Sequence, residues 1–215
     1  MDNLTPAASL DQLALLALAW GLWGAGHSLL LRQDVTARLL ALSRLPPASY
    51  RLYYSMAALA SILPPLAYCA WLGGLRVYWW PWPWRAAQVL LAGGALGLAV
   101  WAEWAMMRAG VDLLGLGQAR GRQPAPQALV RGGPYARLRH PMYLASLLLL
   151  WARALAPADL VTSLALTLYL VLGTWHEEST LRRQMGQAYR DYARRVPLIP
   201  GLPGRVPPAG PKRVD

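Results

Sequence analysis

Two polar clusters hold the side chains of this sequence best suited to chemistry. The first is Arg139-His140-Pro141-Met142-Tyr143, preceded by Gly132-Gly133-Pro134-Tyr135; the second is His176-Glu177-Glu178. Two apolar segments, residues 142–156 and 160–175, lie between them and are joined by Ala156-Pro157-Ala158-Asp159. A hairpin returns the chain to the membrane face it left, so the clusters are expected to meet as an active site. Pro141 suits the first turn of a helix, where its missing N–H costs nothing. That helix start offers free N–H groups and a positive dipole end. Arg139 adds a bidentate donor, making a carboxylate or phosphate the natural guest. Glu177 and Glu178 bring the opposite sign. Adjacent helical residues point about 100° apart, so these two cannot face each other as an acid/base pair. One is expected to bind a ligand cation while the other pairs with arginine.

Tyr143 and His140 add aromatic faces and hydrogen bonds. A ligand with a carboxylate, an ammonium and a sulfonium satisfies all of these groups, and S-adenosylmethionine is such a ligand. Methyl transfer from a sulfonium needs alignment, exclusion of water and a deprotonated acceptor. It needs no nucleophilic Ser or Cys, and neither cluster has one in a nucleophile's setting. His27, His140, His176 and Cys69 match no zinc spacing, so no metal is expected. No G-x-S-x-G elbow or phosphate-binding loop is present, and the glycine pair Gly115-Leu116-Gly117 follows no strand.

The elements that must position these groups are membrane helices. Of 215 residues, 56% are hydrophobic and 14% charged, against about a quarter charged in soluble domains. The net charge of +11 sits between long apolar runs. Anionic lipid, rather than nucleic acid, is therefore the expected counter-surface. Cys69 is the single cysteine and lies in an apolar run, so no intrachain disulfide forms. Residues 10–31 supply about the twenty apolar residues a crossing needs. No basic segment precedes them, which favours a retained helix over a cleaved signal. Further crossings are expected at 52–72, kinked by Pro64-Pro65, and at 86–107, where Gly93-Gly94-x-x-Gly97 allows close helix contact. The hairpin adds 142–156, short for a span, and 160–175.

The fold class expected is an all-α polytopic membrane protein with about five transmembrane helices and a C-terminal amphipathic interfacial helix. It forms one domain: three N-terminal crossings with their loops in 1–107, a cytosolic loop in 108–141, and the hairpin, amphipathic helix and tail in 142–215. Arg32, Arg38, Arg44 and Arg51 concentrate in one connection, and Arg108, Arg120, Arg122, Arg131, Arg137 and Arg139 in another. Positive-inside then puts the N-terminus outside and the C-terminus in the cytoplasm of a multi-pass inner-membrane protein.

This topology gathers His27, Ser28, Glu103, Arg139, His140, Tyr143, His176, Glu177 and Glu178 at one leaflet. Ionisable groups in spans mark a site by default; the alternative is that each snorkels to water, the reading given to Arg153 at the other end. Trp79-Trp80-Pro81-Trp82-Pro83-Trp84 reads as an interfacial belt or as an aromatic cage for a cation. Leu181, Met185, Ala188, Tyr189, Tyr192 and Val196 repeat at helical spacing among arginines. They describe a surface helix that is either an anchor or the lid of a cofactor pocket. The tail from Pro197 is rich in Pro and Gly and is expected to be extended.

Arg139-His140-Pro141-x-Tyr143, Glu177-Glu178-x-x-Leu181, Gly186-x-x-Tyr189-x-x-Tyr192 and Val196-Pro197 resemble the isoprenylcysteine carboxyl methyltransferase and phospholipid methyltransferase superfamily. Its members are integral-membrane enzymes that use S-adenosylmethionine on the cytosolic side. Residues 111–118, Val-Asp-Leu-Leu-Gly-Leu-Gly-Gln, are similar to a loop of the methanethiol S-methyltransferase-like group. His27-Ser28-Leu29 and Tyr50-Arg51-Leu52-Tyr53-Tyr54 resemble that group and also NnrU-like membrane proteins. The resemblance implies cofactor binding by Tyr135, Arg139, His140, Tyr143, Glu177, Glu178 and Tyr189. It implies catalytic roles for His140, Tyr143 and Glu177, with His27, Glu103, Asp112 and Gln118 near the substrate or behind the site. Ala145 stands where the family commonly has Gly, and Met185 where it has Phe. The activity expected is methylation of a small or lipophilic thiol. An isoprenylcysteine-type carboxyl or phospholipid N-methyltransferase is the alternative enzyme, and an NnrU-like accessory or transport protein the non-enzymatic one.

Overall fold

The structure is a computed structural model, and it describes residues 8–43, 46–111, 117 and 129–198. Asp112, Gln118, most of the glycine pair, Arg44, Arg120, Arg122 and the tail beyond Leu198 lie outside the described residues. Helix α1 spans Leu10–Leu30 and opens with a capping box in which Ser9 and Gln12 satisfy each other's backbone amides. An unanticipated helix, α2, spans Gln33–Ser43 inside what reads as a basic loop. Thr36 and Tyr50 both donate to the Leu30 carbonyl, closing the end of α1.

The second crossing divides into α3, Pro47–Ser61, and α4, Leu63–Leu72, at Ile62, directly before Pro64-Pro65. Proline lacks the amide that would bond the preceding turn, and the helix bends there as expected. Helix α5 spans Arg85–Arg108. A short 3-10 turn at Gly133–Ala136 leads to α6, Pro141–Trp151, and then to α7, Pro157–Arg195.

Among the described residues four helical stretches are long and apolar enough to cross a membrane: Leu10–Leu30, Ser49–Leu72, Arg85–Arg108 and Pro157–Arg195. The predicted crossing at 142–156 is instead the short helix α6. Its 11 residues rise about 16 Å, half the ~30 Å hydrocarbon core. Residues 152–156 complete the return in irregular chain, pinned where Leu155 pairs with Tyr78. The hairpin therefore closes without a second full helix. Leu18, Leu22, Val89, Leu90, Leu96, Leu168 and Val171 face outward and are more than half exposed. Surface this apolar is stable against lipid and costly in water.

Three expectations need correction. The last crossing does not stop at Trp175: α7 runs on to Arg195, broken only at Gly186 (φ 54°, ψ −124°). The amphipathic segment is thus an arm of the last crossing, and its apolar side chains other than Ala188 are wholly or partly covered by protein. Tyr189, Tyr192, Ala193 and Val196 are buried and pack with Leu129, Leu181 and Met185. Gly93, Gly94 and Gly97 mediate no close helix contact, since a Cβ at any of them meets nothing within 4 Å among the described residues. Arg153 does not merely snorkel. It bonds Asp159 at 2.9 Å and Ser163 at 3.5 Å, and Asp159 also accepts the Ala156 amide at the start of α7.

Candidate active site

The two polar clusters meet around one carboxylate. Glu178 is 5% exposed and accepts from four donors. His140 Nε2 (2.9 Å) and the Tyr189 hydroxyl (2.5 Å) bond Oε1, while Arg139 (2.6 Å) and Arg182 (3.0 Å) bond Oε2. A buried carboxylate is tolerated when its lone pairs are filled and its charge is balanced, and both conditions hold. Glu178 therefore joins α6, α7 and the arm beyond Gly186.

Glu177, its neighbour, is different. Its side chain is 44% exposed, and its carboxylate lies 3.6 Å from His140 Nδ1. It sits beside Tyr143 and Tyr135. The imidazole of His140 thus bridges the two glutamates, and its ring stacks on Tyr143 with centroids 5.4 Å apart and planes 8° apart. The division is legible from helix geometry: one glutamate turns inward to arginine while the next turns about 100° away.

Local sequence explains these positions. Gly133 has φ 60°, and a Cβ there would lie 3.0 Å from Ala105 and 3.2 Å from the Trp101 indole. Only glycine lets the turn carrying Tyr135 lie this close to α5. Below it, Tyr192 donates to the Tyr135 carbonyl at 2.7 Å, and the Arg139 amide donates to the Pro197 carbonyl at 3.1 Å. His140 precedes α6 with Pro141 in the first turn, and no side chain caps that helix start. Its leading amides remain available to an anion. Arg139, whose side chain is 8% exposed, spends one nitrogen on Glu178. Its Nε is buried without a partner among the described residues.

Burial, then Glu177, then Glu103 push the Tyr135 phenol above its ordinary pKa. Glu103 on α5 thus acts on the cluster electrostatically, through Tyr135. Ala145 is fully buried within α6. His27 lies beside the cluster rather than in it: it stacks on Trp23, accepts or donates at 2.6 Å with Tyr54, and meets the edge of Tyr169. Of the residues expected at the site, Tyr135, Arg139, His140, Tyr143, Glu177, Glu178 and Tyr189 come together. Asp112 and Gln118 lie outside the described residues. Sequence reasoning missed Arg182, although its spacing four residues after Glu178 on one helix was a usable signal. It also missed Tyr54 and Tyr169, whose contacts join distant segments and carry no local signature.

Residues 85–190 match the phospholipid methyltransferase family. The chain is 38% identical over 93 residues to methanethiol S-methyltransferase 2 of Bradyrhizobium diazoefficiens, covering 41% of this chain and 36% of that protein. It is 30% identical over 145 residues to the methanethiol S-methyltransferase of Pseudomonas deceptionensis, covering 60% of this chain and 55% of that one. The chain thus spans only 36% and 55% of the lengths of these two curated relatives. No solved structure matches it. Every residue gathered around Glu178 and Glu177, from Tyr135 to Tyr189, falls inside the stretch that is similar to the phospholipid methyltransferase family.

Proposed function

We propose that the protein is a membrane methyltransferase that uses S-adenosylmethionine to methylate a small or lipophilic thiol. The observation that carries this reading is the division of labour between the paired glutamates. Glu178 is filled by its four donors, whereas Glu177 keeps an accessible charge beside two aromatic rings. The names of the two relatives supply the thiol. The cofactor fits the residues present. Glu177 would hold its ammonium, and the buried Arg139 Nε with the uncapped amides of α6 would receive its carboxylate. Bound there, S-adenosylmethionine supplies a methyl carbon activated by sulfonium.

The chain's own groups account for the rest. A carboxylate only accepts, so His140 Nε2 carries the hydrogen in its bond to Glu178. In the neutral ring Nδ1 then holds the lone pair that takes the acceptor's S–H proton. Glu177, 3.6 Å from that nitrogen, stabilises the imidazolium that forms. The thiolate so formed would be held ready to accept the methyl group that the bound cofactor would supply. Tyr143 fixes the imidazole plane by stacking, and the covering arm keeps water from the polar centre. Arginine placement supports an inner-membrane orientation with this site facing the cytoplasm, N-terminus outside and C-terminus inside.

Calorimetry on detergent-purified protein tests the cofactor. S-adenosylmethionine or its demethylated product should bind, and Glu177→Gln should weaken binding roughly ten- to hundredfold. Membranes given labelled S-adenosylmethionine and a panel of thiols should yield labelled thioethers. Absence of binding, or label passing only to phospholipid amines, would overturn the proposal.

A further inference from the structure

A second recess lies away from the glutamate pair. It is a cleft of about 560 Å³ between α1 and the kinked α3–α4 crossing, bounded along α1 by Leu15 and Leu30. That length is about 22 Å of helix. Two features of the sequence make it. Gly26 on α1 projects nothing into it, since a Cβ there meets nothing within 4 Å among the described residues. On the other wall, Pro64 and Pro65 line the cleft at the bend in the second crossing. Leu15 and Leu22 on its rim are 54% and 65% exposed, so it opens toward lipid.

One part of this apolar cleft is polar. His27 and Trp23 both line it, and His27 Nδ1 and Trp23 Nε1 are buried without partners among the described residues. Buried polar atoms of this kind are rare unless something completes them. The bond between Tyr54 and His27 Nε2 fixes the ring, leaving Nδ1 as the free position. This polar part borders the glutamate site. The ring of Tyr169 meets both Trp23 and His27, and it packs on Gly24, where a Cβ would lie 3.0 Å from the ring. One turn on, a Cβ at Gly173 would lie 4.0 Å from the Tyr143 hydroxyl.

Resting on the methyl-transfer reading, we propose that this cleft is the acceptor subsite and takes a thiol with a long aliphatic chain. The chain lies along α1 between Gly26 and the proline bend, and the sulfur end passes the His27–Trp23 side and Tyr169 toward His140. A one-carbon thiol would leave almost all of a cleft this long empty. An aliphatic tail buries apolar surface along it, and each methylene adds about 0.8 kcal/mol of burial in the water-to-apolar reference.

Gly26→Leu is the test, because a Cβ there meets no described neighbour within 4 Å, the longer side chain extends into the cleft Gly26 lines, and leucine favours helix α1. Protein in lipid nanodiscs is assayed with octanethiol and with methanethiol. Displacing two methylenes should raise KM for octanethiol about tenfold, with KM for methanethiol and binding of S-adenosylmethionine unchanged. A second measurement does not depend on turnover: an alkanethiol bearing a terminal diazirine is photolysed with the protein, and labelled peptides are identified. Label on the cleft walls at Leu22 and Ala58 should be suppressed by excess octanethiol and lost in Gly26→Leu. Photolabelling of this kind without methyl transfer to any thiol would sink the thiol reaction and leave the cleft standing. An unchanged octanethiol-to-methanethiol KM ratio, or labelling indifferent to Gly26→Leu, would overturn the cleft assignment.

Discussion

Tyr189 donates a 2.5 Å hydrogen bond to Glu178, eleven residues earlier in the same helix. On an unbroken helix those residues would stand about 16 Å apart along the axis. The break at Gly186 folds the arm back and allows the contact. The arm then covers the acidic centre from below.

Gly186 is the residue this fold-back depends on. Its φ of 54° with ψ of −124° suits glycine alone, although a Cβ there meets no neighbour within 4 Å. Gly186→Ala should therefore cost about 1–3 kcal/mol through backbone strain and weaken cofactor binding as Tyr189 shifts. Gly93→Ala, in open helix, should not lower stability. Thermal unfolding of the two variants in detergent makes the comparison.

The two glutamates should fail in different ways. Glu178→Gln strips the balancing charge from Arg139 and should destabilise the protein by about 3–5 kcal/mol, as expected for breaking a buried ion pair. Glu177→Gln should leave the melting temperature almost unchanged while lowering cofactor affinity. Unfolding and calorimetry on the same preparations separate the two effects. Equal destabilisation by both would contradict the assignment.

Alkaline pH should weaken the fold through Tyr135. Its phenol is pushed above the ordinary value near 10 by burial and by Glu177 and Glu103. The unfolded chain therefore loses this proton at a lower pH than the folded protein does. Stability is complete below about pH 10 and declines as the pH climbs from there toward the raised folded value. Melting temperatures measured across that range should fall less steeply in Tyr135→Phe.

Glu103 and Arg153 offer a contrast between the two ends of the helices. Glu103→Ala removes a charge beside Tyr135 and should reduce methyl transfer. Arg153→Ala breaks the Asp159 pair at the start of α7 and should lower stability by about 1 kcal/mol or less, the range for a partly exposed pair. Initial rates and unfolding curves should move independently. Equal losses of activity would count against the placement of Glu103.

The hairpin was legible because its signal is local: Arg139-His140-Pro141 and Glu177-Glu178 flank two apolar runs joined by a proline turn. The inward and outward glutamates followed from helical angle alone. Helix α6 ending at Trp151 was not legible, since Ala152 to Ala156 remain apolar and the irregular return depends on Tyr78 pairing with Leu155. Gly186 was hidden because Met185 and Tyr189 keep helical spacing through the break. The contacts of His27 were hidden as well. Trp20 bonds Thr162 across 142 positions and Ser28 bonds Tyr169 across 141, distances no periodicity reports. Helix α2 was mistaken for loop because Arg38 within it and Arg32, Arg44 and Arg51 around it resembled a charged connection.

The bond from the Arg139 amide to the Pro197 carbonyl ties the last-made stretch of the site to one made some sixty residues before it. Ribosomes deliver a chain from its amino end, so the helix hairpin can enter the bilayer before Tyr189 and Pro197 have been translated. Until then Glu178 has its arginines and histidine but no phenol, and Tyr135 has no support from Tyr192. Cofactor affinity should accordingly appear only at the close of biogenesis, which gives a nascent chain no premature methyl donor to trap.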